Sequence, residues 1–386
     1  MHKTLPTRPL TLTVVVPAHN EKVILPACLK ALSYQTHRPE MVLIVDDGST
    51  DGSIDFLKKD LALAEMKIGY ASQKHSHIFV LAKSRTGKAA SLNQALELID
   101  TDIVLTLDAD TLLEPDALEK IMQSFIDNAS LQATGGVLRP LCVPSFQGKM
   151  LETFQKFEYI RAYLTRQAWM TKDSLVLVSG AFAAYRTQTL KDIGGYDTSS
   201  LVEDYELIHR IYHHCYENNI PVSIGVTAEA RAVTDGPDTV IKFLRQRERW
   251  FGGFLQTIFK YRAMVGNKKF QKVGTLMLPI KSLDTLQPLY GLLALYGLIS
   301  FIVLRQIPSL VWMTLVAKLC VDYVYHFYCL SLYNRWQKKK LPRHFWLQSF
   351  VITLLEPLFF QPLRHLGAAR GWWAFLRGRY EWRLSR

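Results

Sequence analysis

Asp108 and Asp110 close the run Ile103–Thr111 (IVLTLDADT), two carboxylates one residue apart at the end of an unbroken apolar stretch. Such a pair suits a hard divalent cation: Mg²⁺ and Mn²⁺ take oxygen ligands, usually one or two carboxylates plus the substrate's own phosphates. The ligand this implies is a nucleotide diphosphate. Alone, a D-x-D is also what a strand-to-loop Asp followed by a capping Asp looks like. Three further stretches add chemistry: Pro17 to Glu21 in PAHNE, Asp46 and Asp47 in DDGS, and Lys88 in GKAASLN. A uracil or ribose offers N–H and O–H donors and calls for carboxylate acceptors, whereas a diphosphate calls for a lysine and a metal. Each stretch is weak alone. Asp46 and Asp47 before Gly48 also suit a plain turn, and Gly87-Lys88 lacks the full phosphate-loop pattern.

These stretches need elements that bring them together. Leu12–Pro17, Met41–Val45, Ile78–Ala82 and Ile103–Leu107 are apolar, β-rich runs, and an uninterrupted run of this kind is a strand buried on both faces, as in a parallel sheet. Helical spacing appears between them, at Ile24, Leu25, Cys28, Leu29 and Leu32, in a short helix capped by Asp51 and Ser53, and after GKAASLN. Strand, helix, strand with short polar joins predicts an α/β, doubly wound parallel sheet whose ligand crevice lies at the carboxyl ends of the strands. Further on, Pro115–Asp127 is a helix, LQATGGVLRPLC a strand, Ser145–Met170 a long aromatic helix and Ser174–Tyr185 a strand with Gly180 near its middle. LVEDYELIHRIYHHCYENN opens with two acids and continues as an amphipathic helix. His209 and His213 stand four apart on it, a metal-like spacing with no third ligand, so a structural role is expected.

Among 386 residues, 46 Lys+Arg against 34 Asp+Glu leave a net charge of +12. The excess crowds into Gln337–Arg343 and Arg364–Arg386, beside apolar segments, which favours a membrane surface over nucleic acid. No DNA- or RNA-recognition module is present. Five scattered cysteines without a C-x-x-C predict buried free thiols in a reducing compartment. The basic N-terminus has no long apolar region before the first strand, so neither a signal peptide nor an N-terminal membrane helix is expected.

Composition changes after RQRERWFGG. FGGFLQTIFKYRAMV puts Phe251, Phe254, Leu255, Ile258 and Phe259 on one side, an amphipathic helix suited to lying in the membrane interface. Thr285–Leu304 carries no charge over twenty residues, enough to span a bilayer. Val311–Leu332 is a second candidate, whose Lys318 and Asp322 must pair, snorkel or face protein. Phe345–Leu363 holds Glu356, Pro357 and Pro362 and is expected to be re-entrant or interfacial. Two spans keep both basic stretches on the side of the N-terminal domain, as the positive-inside rule requires. The expected organisation is a catalytic domain over 1–250, an interfacial connector over 251–284, a membrane region over 285–363 and a basic aromatic tail over 364–386, in a multi-pass protein of the cell membrane with its catalytic domain cytoplasmic.

In order and spacing, VVVPAHNE, VDDGSTDGS, GKAASLN, LDAD, GAFAAYR, VEDYEL and QRERW closely resemble the inverting, GT-A-fold glycosyltransferases of family 2, from about Leu12 to Gly253. The last motif, Q-x-x-R-W, resembles the membrane-embedded branch that includes poly-N-acetylglucosamine, chitin, hyaluronan and cellulose synthases. The resemblance implies a UDP-sugar donor, with Pro17, Glu21, Asp46, Asp47, Lys88 and Asp108 around nucleotide and sugar, and Asp110 with Asp108 holding Mg²⁺ or Mn²⁺. It further implies Asp204 as catalytic base beside Glu203, and Gln246, Arg249 and Trp250 around the diphosphate and acceptor. Val202 stands where the family usually has Thr. Trp250 offers either a flat face for a sugar ring or a belt residue at the membrane interface. The resemblance implies a growing β-linked glycan as acceptor, with N-acetylglucosamine the favoured sugar; a lipid acceptor fits the same pattern, and a partner membrane subunit is compatible with so few spans. A binding protein without turnover is disfavoured by the retention of Asp108, Asp110, Asp204 and Arg249.

Overall fold

The computed structural model describes residues 8–305, 308–338 and 340–378. In chain order, β1 (Leu12–Ala18), α1 (Leu25–Ser33), β2 (Met41–Asp47), α2 (Ser53–Asp60), β3 (Leu63–Glu65), β4 (Tyr70–Ser72), β5 (Ile78–Lys83), α3 (Lys88–Leu96) and β6 (Ile103–Leu107) build the first half of one sheet. The second half follows in β7 (Leu112–Leu113), α4 (Ala117–Asp127), β8 (Leu131–Leu141), α5 (Phe146–Met170), β9 (Phe182–Arg186), α6 (Thr187–Asp192), α7 (Glu203–Glu217), β10 (Ser223–Asp235) and α8 (Val240–Lys260). The remainder is helical: α9 (Leu278–Asp284), α10 (Gln287–Val303), α11 (Ser309–Gln337), α12 (Arg343–Leu355) and α13 (Gln361–Leu376). A π turn over Val273–Met277 leads into α9, and another over Glu356–Phe360 joins α12 to α13.

The strand order is β3-β4-β5-β2-β1-β6-β9-β8-β10-β7. β5, β2, β1 and β6 run parallel, as their apolar runs predict, and every residue of β6 is buried. Beyond β6 the sheet is mixed, which the sequence does not foretell. The chain reaches β9 at the carboxyl end of β6, where Phe182 pairs with Leu107, so β9 runs against both β6 and β8. The strand expected from Ser174 starts only at Phe182, and Gly180 lies in the turn before it because its N–H is given to Asp204 instead of a ladder. At α2 the capping residue is Gly52, while Asp51 accepts from the Ser53 N–H at 2.9 Å.

α8 runs unbroken through Trp250 and Phe251, so the change of composition there falls inside one helix. Protein covers part of its apolar face. Gly252, Gly253 and Leu255 are buried, and α13 lies so close that a Cβ on Gly367 would stand 2.5 Å from the Arg247 Cβ and one on Gly371 2.8 Å from the Gly252 nitrogen. The stretch expected to be interfacial thus packs on α13 along part of its length, with Phe259 exposed near its end.

Two helical stretches are long and apolar enough to cross a membrane, Val273–Val303 and Ser309–Gln337. They expose large apolar side chains, Leu293 at 70% and Val324 at 72%. Their outer ends both return to the catalytic domain side: Trp372 Nε1 donates to the Thr285 carbonyl at 2.6 Å, and Arg231 donates to the Gln337 side-chain and main-chain oxygens at 2.8 and 2.9 Å. Lys318 and Asp322 pair with each other one turn apart. α12 and α13 fold back on the domain. Arg161 of α5 grips Glu356 bidentately, Arg364 meets Glu158 at 2.9 Å and Arg370 meets Glu248 at 2.7 Å. Part of the basic charge that composition assigns to lipid is thus matched by acids of the domain, and 379–386 lie outside the described residues. The cysteines are unpaired as expected, but Cys320 is exposed on α11 where burial was predicted.

Candidate active site

The parallel half of the sheet delivers its loops to one crevice. Pro17, Ala18, His19, Glu21, Asp47, Lys88, Asp108, Ala109 and Asp110 line a cleft of about 150 Å³ at the carboxyl ends of β1, β2 and β6 and the start of α3. Six of the residues singled out in the sequence meet there. Asp46 does not: it is buried, and its Oδ2 accepts from the Ser49 N–H at 3.2 Å to close the DDGS turn. A larger, mostly apolar hollow of about 320 Å³ lies between the β3–β4 turn and strands β2 and β5, among Met41, Met66, Ile68, Phe79 and Leu98, and offers a nucleotide almost nothing to bond.

Asp47 is well supplied with donors. Lys83 Nζ reaches its Oδ1 at 2.7 Å, and the Thr86 and Gly87 N–H groups donate at 2.9 and 2.8 Å. Burial works against ionisation, but these donors win and hold the carboxyl below its usual range. Asp47 thereby fixes the loop that presents Lys88. Gly87, at φ +98°, supplies the backbone conformation this turn needs.

Lys88 joins the two groups of acids. Its Nζ lies 2.6 Å from Asp108 Oδ1 and 3.4 Å from Glu203 Oε1. Burial disfavours its charge, yet Asp108 and Glu203 raise its pKa far above the usual value, so it stays an ammonium. Asp110 is different. Burial, then Asp108 and Asp235, push its carboxyl up to about 6, against weak support from the hydroxyls of Thr111 and Thr234 at 3.2 Å. Thr234 and Asp235 arrive because β7, two residues after Asp110, pairs with the end of β10.

Glu203 and Asp204 open α7. Asp204 Oδ2 accepts from the Gly180 N–H at 2.6 Å and Oδ1 from the Tyr205 N–H at 2.8 Å. A Cβ on Gly180 would stand 2.9 Å from the Asp204 Cβ, so the close approach depends on glycine. Burial and then Glu203 raise the Asp204 pKa; for Glu203, burial opposes ionisation but Lys88 and Arg249 outweigh it and lower the pKa. The two acids are driven apart in basicity, an arrangement suited to proton transfer.

On α8 the charge of Arg249 acts on both acids. Gln246 Oε1 is buried without a hydrogen-bond partner. Trp250 is half-buried and stacks on the guanidinium of Arg247, 4.5 Å from its ring centre. Arg247 itself is buried, grips Glu158 bidentately at 3.0 and 2.7 Å and also lies over Phe243. Val202, in place of the usual Thr, is buried against the site a Cβ on Gly253 would occupy, a contact that suits a methyl. His209 is buried and bonded through Nδ1 to the Tyr205 carbonyl, and the described residues contain no cluster of three or more His, Cys, Asp or Glu side chains at metal-binding distance.

Several contributors lie inside the quoted motifs without having been assigned a role there. His19 and Ala109 line the cleft, Gly180 seats Asp204, and Asn93 clamps the loop before the acids by bonds to Tyr196 at 2.8 and 2.6 Å. PAHNE, DAD, GKAASLN and GAFAAYR contain them, but their roles emerge only once the strands are assembled.

Residues 13–194 match the model of the family described as Glycosyl transferase family 2. A poly-β-1,6-N-acetyl-D-glucosamine synthase of Staphylococcus epidermidis is 25% identical over 245 residues, 63% of this chain and 54% of that protein. The enzyme of the same description from Staphylococcus aureus strain COL is 24% identical over 243 residues, again 63% and 54%. The chain spans about half the length of the curated relatives it matches. A mannosyltransferase from Pyrobaculum calidifontis, solved with GDP-Man and Mn²⁺, aligns over 91% of this chain and 89% of its own, with a TM-score of 0.59 and 19% identity. Residues 13–194 thus match the Glycosyl transferase family 2 model, in a domain on the GT-A α/β fold that two membrane-length helices follow.

Proposed function

We propose that the protein is a membrane-anchored, metal-dependent, inverting glycosyltransferase of the Q-x-x-R-W branch, moving a sugar from a UDP-sugar to a growing β-linked glycan. N-acetylglucosamine is the favoured sugar. The observation that carries the reading is the Lys88 bridge: one ammonium touches Asp108 on the donor side and Glu203 beside the candidate base, so donor and acceptor chemistry share one crevice. The synthase relatives support the polymer and the sugar.

Asp204 takes the proton of the acceptor hydroxyl as its oxygen attacks the anomeric carbon from the face opposite the leaving group; the anomeric C–O bond breaks and its electron pair leaves on the nucleoside diphosphate. The raised pKa of Asp204 favours this uptake. Lys88 and Arg249 sit on the diphosphate side and offset the developing charge, and the planar guanidinium can grip it bidentately. Asp47, Pro17 and Glu21 border the nucleotide. Asp46 acts on it only through the turn it closes. Gln246, whose orphaned oxygen can accept a hydroxyl, and Trp250 border the acceptor.

Asp110 and Asp108 fit a hard divalent cation, because Asp110 is buried and crowded by carboxylates and its described hydrogen-bond donors are neutral hydroxyls, leaving an acceptor set that a cation would hold ionised. Bound Mg²⁺ or Mn²⁺ would neutralise the diphosphate there. The domain faces the cytoplasm, with the hairpin of two spans in the cell membrane, and the catalytic unit includes all of α8. A partner subunit would complete a path for a long product.

A second reading has its own support. The mannosyltransferase that aligns over 91% of this chain was solved with GDP-Man, so a guanosine donor and a single transfer to a lipid-borne hydroxyl form the alternative. UDP and GDP release by the detergent-purified protein across a panel of nucleotide sugars, with Mn²⁺ or EDTA and with Asp110→Ala as control, tests both. Metal-dependent UDP release with UDP-N-acetylglucosamine, lost in the variant, is expected. Release from GDP-mannose alone would replace the first reading by the second.

A further inference from the structure

Glu203 and Asp204 follow an irregular loop, residues 193–202, that has no ladder or helix to hold it. The C-terminal half of α8 holds it instead. Gln256 uses both ends of its amide: Oε1 accepts from the Leu201 N–H at 3.0 Å, and Nε2 donates to the Ser199 carbonyl at 3.1 Å. One turn later Lys260 Nζ lies 2.6 Å from Asp197 and 2.7 Å from Glu206, bracketing the two acids from both sides in sequence. Tyr261 donates to the same Glu206 oxygen at 2.7 Å. Between these contacts Gly253 seats Val202. The same rigid helix carries Gln246, Arg249 and Trp250 two to three turns earlier.

We infer that Gln256 is a positioning residue for the transfer: it fixes the loop that carries Asp204 in register with Arg249, so that base and leaving-group stabiliser are placed by one body. The inference rests on the proposed reading of Asp204 as base. Its logic is that a two-ended amide on a short loop constrains both translation and twist, whereas a single bond would leave the loop free to pivot. Gln256 touches neither the cleft nor the carboxylates. Its loss should therefore be felt in the chemical step and not in donor binding.

The test is steady-state UDP release by the full chain in detergent with UDP-N-acetylglucosamine and Mn²⁺, together with UDP binding by calorimetry. Gln256→Met keeps the length and shape of the side chain but removes both bonds. It should lower kcat on the order of tenfold to a hundredfold while KM for donor and affinity for UDP stay within about twofold. Gln256→Glu keeps the acceptor for Leu201 and should recover part of the lost rate. Lys260→Met, at a half-exposed position, should lower kcat in the same sense and more weakly. A folded Gln256→Met with unchanged kcat would overturn the inference, as would a fall confined to KM or failure of both Gln256 variants to fold, which would make the residue merely structural. Asp204→Asn separates the two layers: if it retains turnover while Gln256→Met loses it, the base assignment fails, and with it the route through Asp204.

Discussion

Replacing Gly180 by alanine tests the placement of the candidate base with a single methyl group. Gly180 has ordinary backbone angles, so the substitution introduces no strain of its own. The new Cβ would meet the Asp204 Cβ at 2.9 Å and its Oδ2 at 3.1 Å, where ordinary contacts begin near 3.4 Å. Either the turn before β9 or the start of α7 must give by about 0.5 Å, at an overpacking cost of roughly 1–3 kcal/mol in stability. The backbone N–H at residue 180 persists, so its bond to Asp204, 2.6 Å in the native protein, is stretched and not abolished. A displacement of this size at a general base should lower kcat by about tenfold to a hundredfold, since about 1 Å of misplacement can cost a hundredfold. The donor cleft lies on the other side of Lys88 and should bind UDP unchanged. Stopped assays of UDP release under saturating donor, set beside the UDP affinity and the thermal midpoint of the same preparation, give all three quantities. Native kcat in a folded Gly180→Ala protein would refute the claim that Asp204 acts from the position described.

Other consequences are equally concrete. Asp110→Asn should abolish Mn²⁺-dependent turnover by abolishing productive Mn²⁺ binding, seen as loss of the calorimetric signal while the melting profile is retained. Because a ligating carboxyl must lose its proton, and that of Asp110 is pushed up to about 6, Mn²⁺ affinity should fall about tenfold between pH 7 and pH 5 and vary little above pH 7; a flat profile would contradict the raised value. Asp197, half-buried, is held down to about 2 after its donors from Lys260 and Ser199 overcome burial, so its contribution to stability is present above pH 4 and disappears as pH falls toward 2. Lys260→Met should shrink that acid-side loss in a pH series of denaturant midpoints. Arg247→Met leaves the buried Glu158 short of its bidentate partner and should cost about 3–5 kcal/mol, with partial recovery in the double variant that also carries Glu158→Gln, measured by thermal unfolding.

The parallel half of the sheet and its crevice were legible because each signal is local: an apolar run makes the strand and the polar residues right after it make the loop. Asp46 and Asp47 show where that locality ends. Adjacent in sequence, one closes a turn and the other faces the cleft, since neighbouring strand residues point to opposite faces. In RQRERW the sequence marks Arg249, but Arg247 is the buried arginine, because its partner Glu158 lies 89 residues away on α5. The amphipathic face of α8 was visible, its occupant was not: a helix pattern states that a face is buried without saying whether lipid or α13 covers it. Nor could composition show that β9 runs antiparallel, which depends on where α5 returns the chain.

The seat of α13 on α8 bears on the order of events during synthesis. α8 bears Gln246, Arg249 and Trp250, yet the helix against which it packs through Gly367 and Gly371 emerges from the ribosome only after both apolar spans. The nucleotide-binding half can condense early, while the half that would handle acceptor and leaving group waits for the hairpin to be inserted. On the proposed function, completion of the site is thereby tied to insertion of the hairpin, and a chain still awaiting it would lack the seat that α13 gives α8.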